Sequence, residues 1–118
     1  MKEAIDMNAM PHMEEICRRV VAAYRKAYGD DIEAIYLYGS YARGDFDEDS
    51  DIDFAAIVKG DRLDVQDKLY NLWTDANKID LEFDVLTSPT AIPSDEFEKY
   101  KDDSGYYKNI LQEGKRLE

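Results

Sequence analysis
Residues 38–54 read YGSYARGDFDEDSDIDF. Between Asp45 and Asp53, six of nine residues are acidic, and a Gly-Ser pair and an arginine stand just upstream. Side chains of a strand alternate between its faces, so Asp51 and Asp53 share one face while Ile52 and Phe54 take the other. Two carboxylates on one face, at the head of the apolar run FAAIV, repel one another. That repulsion raises the pKa of at least one of them. A hard divalent cation is the natural remedy, because Mg²⁺ prefers carboxylate oxygen and keeps open positions for phosphate.

The turn ahead of the pair has complementary chemistry. Residues 32–38, IEAIYLY, read as a strand that stops at Gly39, and SYARG reads as the first turn of a short helix. Glycine permits a close backbone approach, and a helix start offers free amides to an anion. The Ser40 hydroxyl adds a donor. Arg43, three residues on, reaches the same anion. A phosphate cradle and an acid pair that binds metal would together hold a metal-nucleotide. Two plainer readings compete. A calcium loop starting at Asp45 needs Gly at its sixth position and Glu at its twelfth, where this chain has Ser50 and Ala56. A solvated acidic spacer suits Asp45, Asp47, Glu48 and Asp49, but not Asp51 and Asp53, which run into an apolar strand.

Outward from this stretch, Met13, Ile16, Cys17, Val20, Val21 and Tyr24 recur at helical spacing. They predict a helix that opens at Pro11 and stops at Gly29. Cys17 lies on the apolar stripe as a core residue, and His12 at the helix start is a surface residue. Residues 51–58 form a second strand. A helix follows, with Asp61 near its start and Leu63, Leu69, Leu72 and Trp73 as core contacts. Residues 79–87, IDLEFDVLT, alternate and predict a third strand. SDEFEKYK opens on Ser94 as an N-cap, and SGYYKNILQEGKR is a closing helix. The expected architecture is an α/β (α+β) sandwich with a small mixed sheet, covered mainly on one face. Residues 1–118 make a single domain, with 1–10 loosely ordered.

Composition narrows the function. The net charge of −12 repels phosphate backbones, so direct binding to nucleic acid is not expected. No run approaches the roughly 18 apolar residues of a membrane span. No apolar leader stands at the N-terminus, so a cytoplasmic protein is expected. One cysteine and one histidine allow neither an intramolecular disulfide nor a thiolate or histidine-rich metal cluster. Tyr41, Tyr106 and Tyr107 suit either an interface or an ordinary half-buried setting.

Gly39-Ser40, a spacer of ten residues and then Asp51-Ile52-Asp53 resemble the signature of the DNA polymerase beta-like nucleotidyltransferases. The short length and the ARG and SD elements are similar to the minimal nucleotidyltransferases, the MNT group. The resemblance implies a nucleotidyltransferase fold and Mg²⁺-dependent nucleotidyl transfer, in which a hydroxyl attacks the α-phosphate of an NTP, here ATP. Two Mg²⁺ ions about 3.5–4 Å apart would serve the reaction. By the resemblance Asp51 and Asp53 are metal ligands and catalytic residues, and Gly39, Ser40 and Arg43 contact the triphosphate. A third carboxylate on a later strand is implied too. Asp80, Glu82 and Asp84 share a face of the predicted third strand, so alternation cannot choose among them. The resemblance favours Asp84, because similar proteins place this metal-binding, catalytic acid just before a short apolar run ending near a proline, here DVLTSP. The resemblance further implies a helical HEPN toxin as partner. The chain would then be a type VII-like antitoxin that transfers AMP to a tyrosine of that partner. The alternative is a non-catalytic antitoxin or regulatory module that neutralises the partner by contact.

Overall fold
Apolar side chains at three-to-four spacing wind Met13–Tyr28 into helix α1, in a computed structural model that describes residues 12–118. Its stripe of Met13, Ile16, Cys17, Val20 and Tyr24 is buried. Glu14 and Glu15 in its first turn and Arg25 and Lys26 in its last complement the helix dipole. Gly29, at φ +57°, ends it as expected. His12 is exposed beside Phe83, with ring centroids 5.6 Å apart. Burial pushes the Cys17 thiol up to about 12, which makes it a packing residue rather than a nucleophile. Pro11 and residues 1–10 lie outside the described residues.

Strand β1, Ile32–Tyr38, leads through the single turn of helix α2, Ser40–Arg43, to strand β2, Ile52–Val58. The two strands are antiparallel, with Leu37 opposite Phe54 and Tyr38 opposite Asp53. Helix α3, Arg62–Phe83, carries the chain to strand β3, Thr87–Pro93, which runs parallel to β2. Helices α4, Ser94–Tyr100, and α5, Gly105–Glu113, precede the short strand β4, Lys115–Arg116. The sheet order is β3-β2-β1-β4. Asp61 caps α3 by accepting the Asp64 N–H at 3.0 Å.

The alternation of β1 and β2 divides the core. Ile35, Leu37, Ile52, Phe54, Ala56 and Val58 pack with α1 and α3. On the other face Ala34, Ala55, Ile57 and Ile92 pack with Phe97 of α4 and Ile110 of α5. The sheet is therefore covered on both faces, not mainly on one. The larger correction concerns residues 79–87. They are not a strand: α3 runs to Phe83 and the third strand begins only at Thr87. The apolar positions Val65, Leu69, Leu72, Ala76, Ile79 and Phe83 continue a three-to-four spacing, and this overrides the local alternation. Leu81, inward in the strand reading, is 87% exposed. Leu63 and Trp73 lie at 76% and 42% exposure rather than in the core. Trp73 spans the sheet edge, donating Nε1–H to the Pro89 carbonyl at 3.1 Å. Ser94 is the first helical residue of α4 rather than its cap. Ser104 does cap α5, accepting the Tyr107 N–H at 3.2 Å.

Asp80 joins helix to strand. Its Oδ1 accepts the Thr87 N–H at 2.9 Å and the Thr87 hydroxyl at 2.7 Å. Thr87 is the buried polar residue of the described core. Removing an acceptor from buried donors costs about 1–3 kcal/mol. Asp80→Ala is expected to lower unfolding stability by that amount in a urea titration, with the m-value unchanged. An unchanged midpoint would show that the junction is held by packing alone.

Candidate active site
The acid pair is built by strand geometry. Asp53 lies on the α4–α5 face of the sheet, and Asp51 stands just before β2 with the same orientation by alternation. Asp51 is exposed and Asp53 half-buried. Asp53 is raised above the usual carboxylate range, first by desolvation and then by the Asp51 charge, with Arg43 opposing. The repulsion expected from the spacing is therefore present, with burial the larger cause.

Gly39 makes the turn possible. It adopts φ 75° and ψ −154°, a region essentially confined to glycine. A Cβ built there would meet Asp53 Oδ2 at 2.4 Å. The backbone at the Gly-Ser turn thus lies directly against the carboxylate, and the Gly39 carbonyl accepts the Ala42 and Arg43 N–H groups that open α2. The ten-residue spacer folds the two halves of the motif together.

The spacer is ordered by its own side chains. Asp47 Oδ1 accepts the Asp49 N–H at 2.9 Å and the Ser50 hydroxyl at 3.2 Å, a local turn of the kind aspartate favours. Tyr41 stacks on Phe46 with centroids 4.2 Å apart and planes at 11°. Tyr41, Phe46, Asp49, Asp51, Asp84 and Leu86 contribute to the walls of an open cleft of about 560 Å³. Arg43 is close to the site, but its Nε meets Asp45 at 3.2 Å and its Nη1 meets Glu113 of α5 at 3.1 Å.

The three acids considered for a third carboxylate part company because α3 is a helix. Asp80 holds Thr87, and Glu82 pairs with Arg19 at 2.7 Å. Asp84 occupies the left-handed C-cap of α3 at φ 54°. It shares the cleft wall with Asp51, but not as a member of a three-acid cluster: among the described residues no group of three or more His, Cys, Asp and Glu side chains stands ready for a metal ion. The strand position beside Asp53 is Ser88, whose hydroxyl reaches Asp51 Oδ2 at 3.4 Å. Sequence reasoning missed Ser88, because its place depends on where β3 begins.

The donor set nonetheless fits Mg²⁺. Asp51 and Asp53 are hard oxygen donors, and their mutual repulsion in a partly desolvated place is what a divalent cation relieves. Tyr38, opposite Asp53, closes the site on the α5 side. Its phenol is pushed well up by burial, by a hydrogen bond to Tyr106 and by the nearby charges.

A mixed sheet that holds an Asp-x-Asp pair against a Gly-Ser turn defines a nucleotidyltransferase-type α/β domain. Comparison with known proteins makes this specific. The family described as polymerase beta, nucleotidyltransferase, matches residues 21–117, and the chain belongs to that family. A protein of Methanocaldococcus jannaschii named "Putative protein adenylyltransferase MJ0604" is 35% identical over 104 residues, which cover 88% of this chain and 96% of that protein. A second from that organism, "Putative protein adenylyltransferase MJ0141", is 39% identical over 61 residues, or 51% of this chain and 59% of that protein. Among solved structures, a chain from a toxin-antitoxin crystal structure with AMP-PNP superposes at TM-score 0.54 and 20% identity, covering 86% of this chain and 72% of that one. Another comes from a structure of tri-AMPylated Shewanella oneidensis HEPN toxin in complex with MNT antitoxin. It superposes at TM-score 0.50 and 17% identity, covering 89% of this chain and 71% of that one. At such identities the structural likeness carries the fold. The resemblance to the polymerase beta-like nucleotidyltransferases is borne out, as is the α+β fold class. No described helix is long and apolar enough to cross a membrane.

Proposed function
We propose that this chain is a Mg²⁺-dependent protein adenylyltransferase that moves AMP from ATP to a hydroxyl, the acceptor being a tyrosine of a helical HEPN-type partner that it thereby neutralises. The observation that carries the reading is Asp53 of the Asp51–Asp53 pair lying directly against the Gly39 turn. In this reading Asp51 and Asp53 hold the metal, and the Gly39-Ser40 turn and the Ser40 hydroxyl receive the triphosphate. Arg43 exchanges Asp45 and Glu113 for phosphate oxygens. Asp84 stands at the cleft wall, within the site but outside the ligand pair. The acceptor oxygen attacks the α-phosphorus and gives up its hydroxyl proton to solvent, the bond to the bridging oxygen breaks, and pyrophosphate leaves with the electron pair. Mg²⁺, when bound, supplies positive charge against the triphosphate and against the oxygens entering and leaving phosphorus.

The names of the relatives support adenylyl transfer to protein, and the assemblies containing the superposable chains support a HEPN partner. The surface of α3 is compatible with one. Leu63, Tyr70 and Leu81 are 76%, 67% and 87% exposed and, at 100° per residue, line one side of the helix. A contact-only antitoxin is the second reading. It is favoured by the absence of an acid from β3 beside the pair, where Ser88 stands. Incubation with ATP, Mg²⁺ and the helical partner separates the two. One AMP added to a partner tyrosine, with pyrophosphate released, is the expected result. Neutralisation of the partner without nucleotide and without any mass gain would establish the contact-only reading.

A further inference from the structure
The face of the sheet that carries the acid pair also carries a tyrosine relay. Tyr38 is directly opposite Asp53 in the β1–β2 register. Opposed residues of an antiparallel pair have Cβ atoms about 4.5–5.5 Å apart, so the Tyr38 ring leaves the sheet beside the carboxylate. Its hydroxyl lies 2.9 Å from the Tyr106 hydroxyl, and the two rings meet edge to face with centroids 5.8 Å apart. Tyr106 projects from the first turn of α5, whose start is fixed by the Ser104 cap. A second tie comes from the neighbouring Tyr107, which donates its hydroxyl to Glu96 Oε2 at 3.2 Å. The chain therefore brings a phenol of its own, on an anchored helix, to within one hydrogen bond of the residue beside the acid pair. Tyr106 is 45% exposed, so its side chain is not sealed in the core. Other tyrosines are placed differently. Tyr24 and Tyr28 are buried and donate to the Thr90 and Val65 carbonyls. Tyr41 is stacked on Phe46, and Tyr70 lies on the outer side of α3.

We propose that Tyr106 is a self-modification site, an acceptor hydroxyl within the chain for adenylyl transfer from ATP bound at its own Asp51–Asp53 site. The inference rests on the proposed function. In the step, the Tyr106 oxygen forms a bond to the α-phosphorus of ATP. The bond from that phosphorus to the bridging oxygen breaks, pyrophosphate leaves with the electron pair, and the phenolic proton passes to solvent. Holding acceptor and donor in one molecule removes the entropic cost of a bimolecular encounter, so the reaction is first order in protein.

The test is incubation of the full chain with Mg²⁺ and ATP alone, followed by intact-mass and peptide-mass measurement. The expected result is one AMP on the peptide that contains Tyr106, with a fractional rate independent of protein concentration. Tyr106→Phe should lose the mark, and Tyr70→Phe should keep it. Calorimetry of Mg²⁺-dependent ATP binding by the native chain runs alongside. Binding without a mark on Tyr106 overturns the inference and leaves the proposed function standing. So does a mark on another residue, or a fractional rate that rises with protein concentration. No ATP binding by the native chain overturns both.

Discussion
Asp53→Asn is expected to abolish Mg²⁺-dependent ATP binding while leaving the chain folded and somewhat harder to unfold. The binding side follows from charge. The substitution removes one of the two carboxylates that would hold the metal. Since even residues that only support a ligand cost 10–100-fold when mutated, loss of the ligand itself should exceed about 100-fold. The stability side follows from the raised pKa of Asp53. Its ordinary value is 3.8, and burial first and then Asp51 push it up in the fold. A carboxyl whose folded pKa is raised disfavours the folded state once it ionises. The penalty is absent below the ordinary value, grows as pH rises through the raised value, and is full at neutral pH. Asn carries no such charge. The metal-free variant should therefore unfold at a slightly higher temperature than the native chain at pH 7, and the difference should vanish on acidification below pH ~4. Calorimetry with and without Mg²⁺, paired with thermal unfolding at the two pH values, reads both effects. ATP binding by the variant with native affinity and native metal dependence would remove Asp53 from the site.

Gly39→Ala is expected to damage the same function by a different route, with the opposite effect on stability. At φ 75° and ψ −154° an alanine is strained by about 1–3 kcal/mol. Its Cβ would also fall 2.4 Å from Asp53 Oδ2, so the carboxylate must swing aside. The variant should lose most of its Mg²⁺-dependent ATP binding and also melt lower than the native chain, whereas Asp53→Asn melts no lower. The two variants together thus separate a missing ligand from a displaced one. Native binding in Gly39→Ala would mean that Asp53 adopts its working position in another rotamer, and that the close approach is not needed.

Much of the site was legible in the chain because it is local. Gly39, Ser40, Asp51 and Asp53 lie within one hairpin-like excursion between adjacent strands, and strand alternation alone puts both acids on one face. The spacer's acids have a use that sequence could suggest only in outline. Asp47 binds its own turn, and Asp45 engages Arg43. Arg43 illustrates the limit of such reading. Its spacing from Ser40 points to phosphate, but its second partner, Glu113, arrives from 70 residues away.

The third strand shows where local pattern misleads. Residues 79–85 alternate like a strand and also continue the helical spacing of Leu72, Ala76 and Ile79. Both periods fit, and a window of seven residues cannot choose between them. Burial of Ile79 while Leu81, its same-face neighbour in a strand, is 87% exposed settles it as helix. The shared strand face expected for Asp80, Glu82 and Asp84 goes with it. Asp80 becomes a structural clamp, Glu82 a surface partner of Arg19, and Asp84 a helix cap.

By itself, then, the sequence determined the acid pair, the glycine turn, the first helix, the first two strands and the family. These rest on short-range periodicity, on one glycine-specific backbone conformation and on a fixed motif spacing. Only the tertiary structure decided which strand neighbours Asp53, that Ser88 stands there, and that α4 and α5 cover the second face. It alone brings Tyr106 to Tyr38. Those facts depend on contacts between residues 34–68 positions apart, and such contacts leave no period in the chain because they are selected by the burial of whole faces rather than by neighbouring residues.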